Sequence, residues 1–263
     1  MEILKQSWTK VAFGYRQVFV QRFSPWIRDS VISLVNAQPP TQGTVFIAGC
    51  GTGEEVVSVS MSLPENKVEA CDLAEGMVSL AGDLVKANAL ESRVRLFVGD
   101  ATSVPAHLKP LSAVFSCFVL QQMPRPAEVL AGWTRALGPD GVLCVCYWPK
   151  EVESEGPWRR MVEIDPPKSQ DEDWERDIPG LAVAHGAEVL SDRRVSHTIE
   201  WSSVEAFWDA MTLAGPWNAR LLRLGEERMS QLRDEFLRSY GNTPPAPLRH
   251  SPQARILVMR RRS

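Results

Sequence analysis

Apolar residues recur at helical spacing through residues 5–36, and this pattern ends at Pro39 and Pro40. It predicts one or two helices at the start of the chain. Short apolar runs then alternate with helical segments as far as Trp148. The runs predict strands over 44–48, 68–71, 94–98, 111–120 and 142–148, and the segments between them predict helices that end at Met61 or span 76–89 and 126–137, with a turn at 138–141. Such alternation is typical of a mostly parallel sheet with helices on both faces.

The pattern changes after Pro149. Residues 150–180 are rich in Glu, Asp, Pro and Trp without a sustained period, which predicts an exposed excursion with short helices at most. The remaining pattern predicts a strand over 195–201, helices over 203–214 and 226–240, and a final strand over 255–259. We expect the last two strands to be neighbours in the sheet, so that residues 203–240 form a helical insertion between them.

The composition is that of a globular protein: 263 residues, of which 44% are hydrophobic and 23% charged. The net charge of −3 gives no electrostatic reason to expect nucleic acid as a partner. No apolar run approaches the roughly 20 residues that a membrane helix needs, and the first ten residues lack the pattern of a signal peptide. We therefore expect a cytoplasmic protein without a membrane partner.

The five cysteines are an odd number without the paired spacing of a zinc site. Cys144 and Cys146 lie two residues apart in a predicted apolar strand, so their side chains point to the same face. We expect all five to be buried, reduced thiols, and we expect no metal.

The strongest chemical signal is the turn after the first predicted strand, where Gly49, Gly51 and Gly53 occupy every second position. Glycines let the chain turn tightly and bring its backbone close to a ligand, and the following helix offers unpaired N–H groups. Any strand-to-helix turn can use glycine, so the turn alone is weak evidence for a binding site. Asp72 ends the next strand, where a carboxylate binds ribose hydroxyls in doubly wound sheets; the alternative is a carboxylate that caps the following helix. Together they indicate a nucleoside site.

The spacing of the glycines suggests which nucleoside. Dinucleotide folds use Gly-x-Gly-x-x-Gly, whereas this chain has Gly-x-Gly-x-Gly followed by Glu54 and Glu55. Two carboxylates repel a pyrophosphate, which argues against a nicotinamide oxidoreductase, but they tolerate a ligand with an ammonium and a sulfonium. Asp100 and Ala101 end the third strand, where a carboxylate and an adjacent N–H can read the edge of adenine.

Four motifs in this order resemble those of the class I S-adenosylmethionine-dependent methyltransferases, nearest to the branch that includes the ubiquinone and menaquinone C-methyltransferases. The motifs cover residues 45–55, 69–77, 98–101 and 115–123, and the resemblance extends over about residues 8–150. It implies an α/β fold with a doubly wound, Rossmann-like sheet of seven strands whose last strand is antiparallel, preceded by N-terminal helices and with the helical insertion as a cap. We expect one methyltransferase domain over 1–263, with helices in 1–40, the cofactor-binding core in 41–150, and the cap and C-terminal strands in 151–263.

The cofactor implied by the resemblance is S-adenosylmethionine, with S-adenosylhomocysteine as product. In this family the three glycines approach the methionine moiety, Asp72 binds the ribose, Leu73 and Met77 pack on the adenine, and Asp100 and Ala101 read its edge. Tyr15 matches an N-terminal helix residue that contacts the cofactor, although an ordinary amphipathic helix also explains it. The expected cofactor-binding residues are Tyr15, Gly49, Cys50, Gly51, Gly53, Asp72, Leu73, Met77, Asp100, Ala101 and Phe118.

No catalytic residue is identified from the sequence. An activated sulfonium methyl needs alignment for in-line displacement and exclusion of water more than a protein nucleophile. Many relatives have a His pair after the fourth strand, where this chain has Gln121 and Gln122; amides can position a substrate but cannot act as a base near neutral pH. His185 and His197 remain as candidate bases, with an ordinary structural or exposed role as the alternative.

The acceptor is expected to be a small molecule whose binding site is lined by Gln122, Tyr147, Trp148, Trp208 and Trp217. In particular, we expect the aromatic residues of the cap to cover the mouth of the pocket; the alternatives are that they form the cap's own core or an interface with a second subunit. A protein or RNA methyltransferase and a non-catalytic cofactor-binding module remain open as other functions, and a monomer and a homodimer as assembly states.

Overall fold

The fold was obtained as a computed structural model, and it describes residues 2–166 and 174–263. The chain begins with two helices, α1 (Glu2–Val18) and α2 (Val20–Asn36), which meet at Phe19. Helix α2 ends just before the two prolines, which agrees with the predicted end of the helical pattern. Both helices are amphipathic, and the apolar face of α2 is buried against the sheet.

Nine strands follow in the described part of the chain. They are β1 (Thr44–Ala48), β2 (Lys67–Asp72), β3 (Val94–Val98), β4 (Leu111–Cys117), β5 (Leu137–Tyr147), β6 (Ala187–Ser196), β7 (Ile199–Trp201), β8 (Leu248–His250) and β9 (Gln253–Arg261). Seven of them form one sheet in the order β3-β2-β1-β4-β5-β9-β6, and β9 runs antiparallel to both of its neighbours. The doubly wound seven-strand sheet with an antiparallel last strand is therefore confirmed.

The remaining helices are α3 (Glu54–Ser62), α4 (Glu75–Ala87), α5 (Pro126–Ala136), α6 (Pro157–Ile164), α7 (Ile178–Ala184), α8 (Val204–Asp209), α9 (Asn218–Leu224) and α10 (Glu226–Arg238). Alternate residues of each central strand point to opposite faces of the sheet. In β1, for example, Val45 and Ile47 pack with α2 and α3, whereas Phe46 and Ala48 pack with α5. Both faces are thus covered, which explains the continuous apolar runs of the central strands.

The strand predicted over 195–201 is wrong in its bounds. Residues 187–196 form β6, the edge of the main sheet, and 199–201 form β7, which pairs with β8 in a separate two-stranded sheet. The pattern did not reveal β6 because an edge strand has one neighbour, and most of its side chains remain at least partly exposed.

The predicted turn at 138–141 lies within the bounds of β5. Leu137 pairs with Leu111, after which the register shifts and Val142 pairs with Ala113. Asp140 has φ of +57°, so the chain bends there without leaving the sheet. The glycines, proline and aspartate of 138–141, which predicted a turn between elements, therefore form a bend inside β5.

The insertion between β7 and β8 contains α8, a π-helical turn over 210–214, α9 and α10. Its turn and α9 pack against α1, and α1 in turn packs against α4. Helix α1 is therefore held between the insertion and the rest of the fold. Within the described ranges, no helix is long and apolar enough to cross a membrane.

Candidate functional site

A cavity of about 300 Å³ lies beneath α1 at the carboxyl ends of the central strands. This edge of an open α/β sheet is where such folds bind ligands, and the volume is at the lower end of the range for ligand pockets. Four acidic side chains line the cavity, those of Glu54, Glu55, Asp72 and Asp100. Its other walls are mainly apolar.

The three glycines of the turn after β1 have different surroundings. A Cβ atom on Gly49 would overlap the side chain of Val119, and one on Gly53 would lie 2.7 Å from Cα of Ala81. Gly51 has nothing within 4 Å of such an atom and lines the cavity. All three have positive φ, a conformation that favours glycine. Two glycines therefore permit close packing of the turn, and the third leaves room for a ligand.

Asp72 connects the turn to the strand beside it. One carboxylate oxygen accepts a hydrogen bond from the N–H of Gly51 at 3.0 Å, and the other accepts one from the N–H of Ala74 at 3.0 Å, just before α4. Burial raises the pKa of Asp72, and these backbone donors oppose that effect. Asp72 therefore binds backbone N–H groups before α4 without capping that helix, whose N-cap residue is Ala74, and it also lines the cavity at a position suited to ligand contact.

Helix α1 forms the roof of the cavity through Leu4, Trp8 and Tyr15. The indole N–H of Trp8 donates a hydrogen bond to Oε1 of Gln122 at 3.0 Å, and the same ring meets Tyr15 edge-on at 5.4 Å. The amide group of Gln122 also donates to the backbone carbonyl of Phe118 at 3.0 Å. A single glutamine side chain thus joins the roof to the loop after β4.

Phe118 begins that loop with φ of +58°, which is uncommon for a residue with a side chain. Its carbonyl accepts hydrogen bonds from both Gln121 and Gln122, and its ring stacks on Trp148 with centroids 4.5 Å apart. Left-handed backbone at a non-glycine residue costs roughly 1–3 kcal/mol and persists where its surroundings hold it. The two amides and the indole supply that support beside the cavity.

The structure brings together ten of the site residues expected from the sequence. The residues that line the cavity are Tyr15, Gly49, Gly51, Asp72, Leu73, Met77, Asp100, Ala101, Phe118 and Gln122. Cys50 and Gly53 are buried in the glycine turn instead, behind the cavity surface.

The residues expected to line the acceptor site agree less well with the structure than the expected cofactor-binding residues do. Tyr147 packs against Trp174 on the opposite face of the sheet, and Trp148 lies behind Phe118. Trp208 and Trp217 contact each other, and Trp208 packs on Phe236 inside the insertion. The structure thus places none of these four side chains at the cavity surface, and the two from the insertion form its own core, as one of the alternatives stated.

The insertion does not reach the cavity because α1 lies between them. Ser7 donates a hydrogen bond to Asn218 at 3.3 Å, and Gly14 approaches Ala214 so closely that a Cβ atom would lie 3.0 Å away. The expectation that aromatic residues of the insertion cover the pocket mouth is therefore corrected: α1 covers it, and the insertion packs against the outer side of α1.

Part of the apolar wall of the cavity was not predicted from the sequence. The cavity-lining residues not expected from it include Val20, Phe23 and Ile27 on α2 and Val119, Met123 and Pro124 after β4. The helical spacing over residues 5–36 did contain Phe23 and Ile27, but this pattern shows an apolar face without showing that a part of it meets a cavity.

Neither candidate histidine lies in the cavity. His197 pairs with Asp29 at 2.8 Å, and His185 contacts Arg135 at 3.2 Å. In the part of the chain that the structure describes, no lysine, arginine or histidine lines the cavity, and no three metal-binding side chains converge anywhere. The five cysteines are buried and unpaired, as expected, and Cys117 reaches the cavity wall.

Comparison with known proteins agrees with these features. A family model described as a methyltransferase domain matches residues 45–141, which contain the glycine turn, Asp72 and the loop after β4. Demethylmenaquinone methyltransferase of Lactobacillus johnsonii is 26% identical over 153 residues. This match covers 57% of each chain, so the similarity spans little more than half of that relative.

Two solved structures share the fold across most of the chain. A protein of Bacillus halodurans described as a putative methyltransferase superposes with a TM-score of 0.61 at 15% identity, over 89% of this chain and all of that one. The cyclase SpnF superposes with a TM-score of 0.55 at 18% identity, over 90% and 80% of the two chains. At such identities the likeness shows the fold alone. A methyltransferase domain model thus matches the part of the chain that contains the glycine turn and Asp72, and the seven-strand fold is shared with a structure described as a methyltransferase.

Proposed function

We propose that the protein transfers the methyl group of S-adenosylmethionine to a small, weakly polar acceptor by in-line displacement. The observation that carries this proposal is a cavity that combines several carboxylates and an open glycine turn with mainly apolar walls. An acidic, glycine-lined cavity suits a cationic nucleoside, whereas it would repel a pyrophosphate.

The residues present fit this cofactor. Gly51 leaves the space that a side chain would fill, and Asp72 keeps carboxylate lone pairs beyond those used by the two backbone donors. Asp72 would bind the ribose, Leu73 and Met77 would contact the adenine, and Asp100 with Ala101 would read its edge. The bound cofactor supplies a methyl group activated by its sulfonium.

The protein's own contribution to the reaction would be to position the acceptor against the methyl group. Val20, Phe23, Ile27, Phe118 and Met123 provide apolar walls that orient an acceptor and exclude water. No imidazole or amine of the described residues is at hand to remove a proton from the acceptor. The relative whose name specifies demethylmenaquinone supports an apolar acceptor.

Isothermal titration tests the cofactor half of the proposal. We expect S-adenosylmethionine and S-adenosylhomocysteine to bind, and Asp72→Asn to weaken both by about 10- to 100-fold, the scale of a hydrogen bond to a charged group. Asp192→Asn is the matched control. Asp192 lies on the edge strand β6, where it accepts a hydrogen bond from Arg255, and it does not line the cavity. Absence of binding to the unsubstituted protein at millimolar ligand would contradict the proposal.

Incubation of the protein with a metabolite extract and an isotopically labelled methyl donor tests the acceptor half. We expect label in a small apolar product. Label in protein or RNA would support the alternative class of methyltransferase, and cofactor binding without any labelled product would support a non-catalytic module.

A further inference from the structure

Three carboxylates surround the glycine turn at the cavity, and two of them already have partners. Glu54 accepts a hydrogen bond from the hydroxyl of Thr52 and pairs with Arg16 at 3.3 Å. Asp72 accepts the N–H groups of Gly51 and Ala74. The negative charge of both side chains is therefore partly satisfied by the protein itself.

Glu55 differs from both. It is the second residue of α3, lines the cavity, and has no hydrogen bond or ion pair from another residue in the described part of the chain. Its own backbone N–H is its single donor. Glu55 is half-buried, and a carboxylate held at a cavity wall without a partner costs free energy unless it is protonated or meets a cation.

Among the residues that the structure describes, no free cation lies beside Glu55. The titratable groups that face it are Glu54 on the same helix, Cys50 in the glycine turn, Tyr15 on α1, Asp72 after β2 and Cys117 after β4. Arg16, which reaches this region from α1, is paired with Glu54. Burial raises the pKa of Glu55 to about 8, and the charges of Glu54 and Asp72 add to the effect.

We propose that Glu55 binds the α-ammonium group at the amino-acid end of the cofactor. This inference rests on the proposed function, and it assigns one of three neighbouring carboxylates to one group of the ligand. The neutral acid in the ligand-free protein becomes a carboxylate when the ammonium arrives, so the charge at the cavity wall appears together with its partner.

A pair of ligands tests the assignment. S-Adenosylhomocysteine has the ammonium group, whereas 5′-methylthioadenosine keeps the adenosine and the sulfur but lacks the amino-acid end. We expect Glu55→Gln to weaken S-adenosylhomocysteine by about 10- to 100-fold in isothermal titration and 5′-methylthioadenosine by less than about threefold. Glu128→Gln, on the exposed side of α5, is the matched control and leaves both affinities unchanged.

The proton gives a readout that needs no variant. At pH 7 the unsubstituted protein should release most of one proton on binding S-adenosylhomocysteine, measured from the difference in heat between phosphate and Tris buffers. Binding of 5′-methylthioadenosine should release none. Because the protonated acid must lose its proton first, the affinity for S-adenosylhomocysteine should rise by up to about tenfold per pH unit between pH 6 and 8.

The outcomes separate the two proposals. If neither ligand binds, the proposed function fails. If both bind but Glu55→Gln changes neither affinity, weakens both equally, or has less effect on S-adenosylhomocysteine than Glu54→Gln, Glu55 is not the ammonium partner. Binding without proton release at pH 7 would also overturn the inference, whether or not the variant folds.

Discussion

At the scale of single residues, the glycine turn shows that one motif serves two purposes. Gly49 and Gly51 both line the cavity, but an added Cβ atom would overlap other parts of the fold at Gly49 and Gly53 and would meet open space at Gly51. The regular spacing of the three glycines suggests one common role. Their surroundings instead indicate that Gly49 and Gly53 are needed for close packing of the turn and that Gly51 leaves space for a ligand. Substitutions at Gly49 and Gly51 should therefore affect different properties.

We expect Gly49→Ala to lower the melting temperature more than Gly51→Ala does. Both alanines must adopt positive φ, which costs roughly 1–2 kcal/mol, but only at Gly49 does the added methyl overlap Val119. At Gly51 the methyl occupies the cavity, so affinity for S-adenosylhomocysteine should fall instead. Differential scanning fluorimetry and isothermal titration on both variants measure the two effects; equal losses of stability with equal affinity would contradict this division.

At the scale of elements, the order of layers decides which aromatic residues meet the ligand. The insertion packs on α1, α1 covers the cavity, and the loop after β4 is tied to α1 through Gln122. Trp8 on α1 and Trp208 in the insertion are both large and apolar, but only Trp8 lines the cavity. The insertion therefore influences binding indirectly, through α1, and not through its own side chains at the cavity surface.

Trp208→Ala should destabilise the protein by about 3–5 kcal/mol, because it removes a buried ring that packs on Trp217 and Phe236. Affinity of the folded variant for S-adenosylhomocysteine should stay within about threefold. Trp8→Ala should show the reverse, with weaker ligand binding and a smaller loss of stability, since it removes the bond to Gln122 and part of the roof. Chemical denaturation and titration of the two variants provide the comparison.

At the scale of the whole molecule, the fold places several acidic groups around one cavity, and among the described residues no lysine, arginine or histidine lines that cavity. A bound cofactor would therefore supply the positive charge. This arrangement couples global stability to pH. Glu55 and Asp72 both have raised pKa values in the folded protein, so each holds a proton at a pH where the unfolded chain has lost it. Stability attributable to these groups is therefore present at low pH and lost as the pH rises.

The expected window for Glu55 lies between its ordinary value of 4.5 and about 8. In that range the ligand-free protein should lose stability with rising pH, by at most about tenfold in the folding constant per pH unit. Glu55→Gln should reduce this slope, and saturating S-adenosylhomocysteine should reduce it as well. Denaturant unfolding at pH 6, 7 and 8 measures the slope; a stability that rises equally with pH in both proteins would contradict the expectation.

The sequence by itself determined the central strands, the glycine turn and the position of Asp72 after β2. These features depend on local chemistry: buried parallel strands read as apolar runs, and a tight turn with positive φ needs glycine. The ten expected residues that line the cavity came mainly from the resemblance to the methyltransferase motifs, and their role in binding stays a prediction.

Only the tertiary structure decided which apolar surfaces meet the cavity and which meet each other. The helical pattern of α1 and that of the insertion both show an apolar face, but neither pattern shows what covers that face. The same limit explains why β6, an edge strand with few buried side chains, was not predicted. It also explains why Glu55 was not singled out, because Tyr15, Asp72 and Cys117, which face it, lie far from it in the sequence. Long-range packing places α1 over the carboxylates, and this placement turns a charged helix start into a candidate site for a cation.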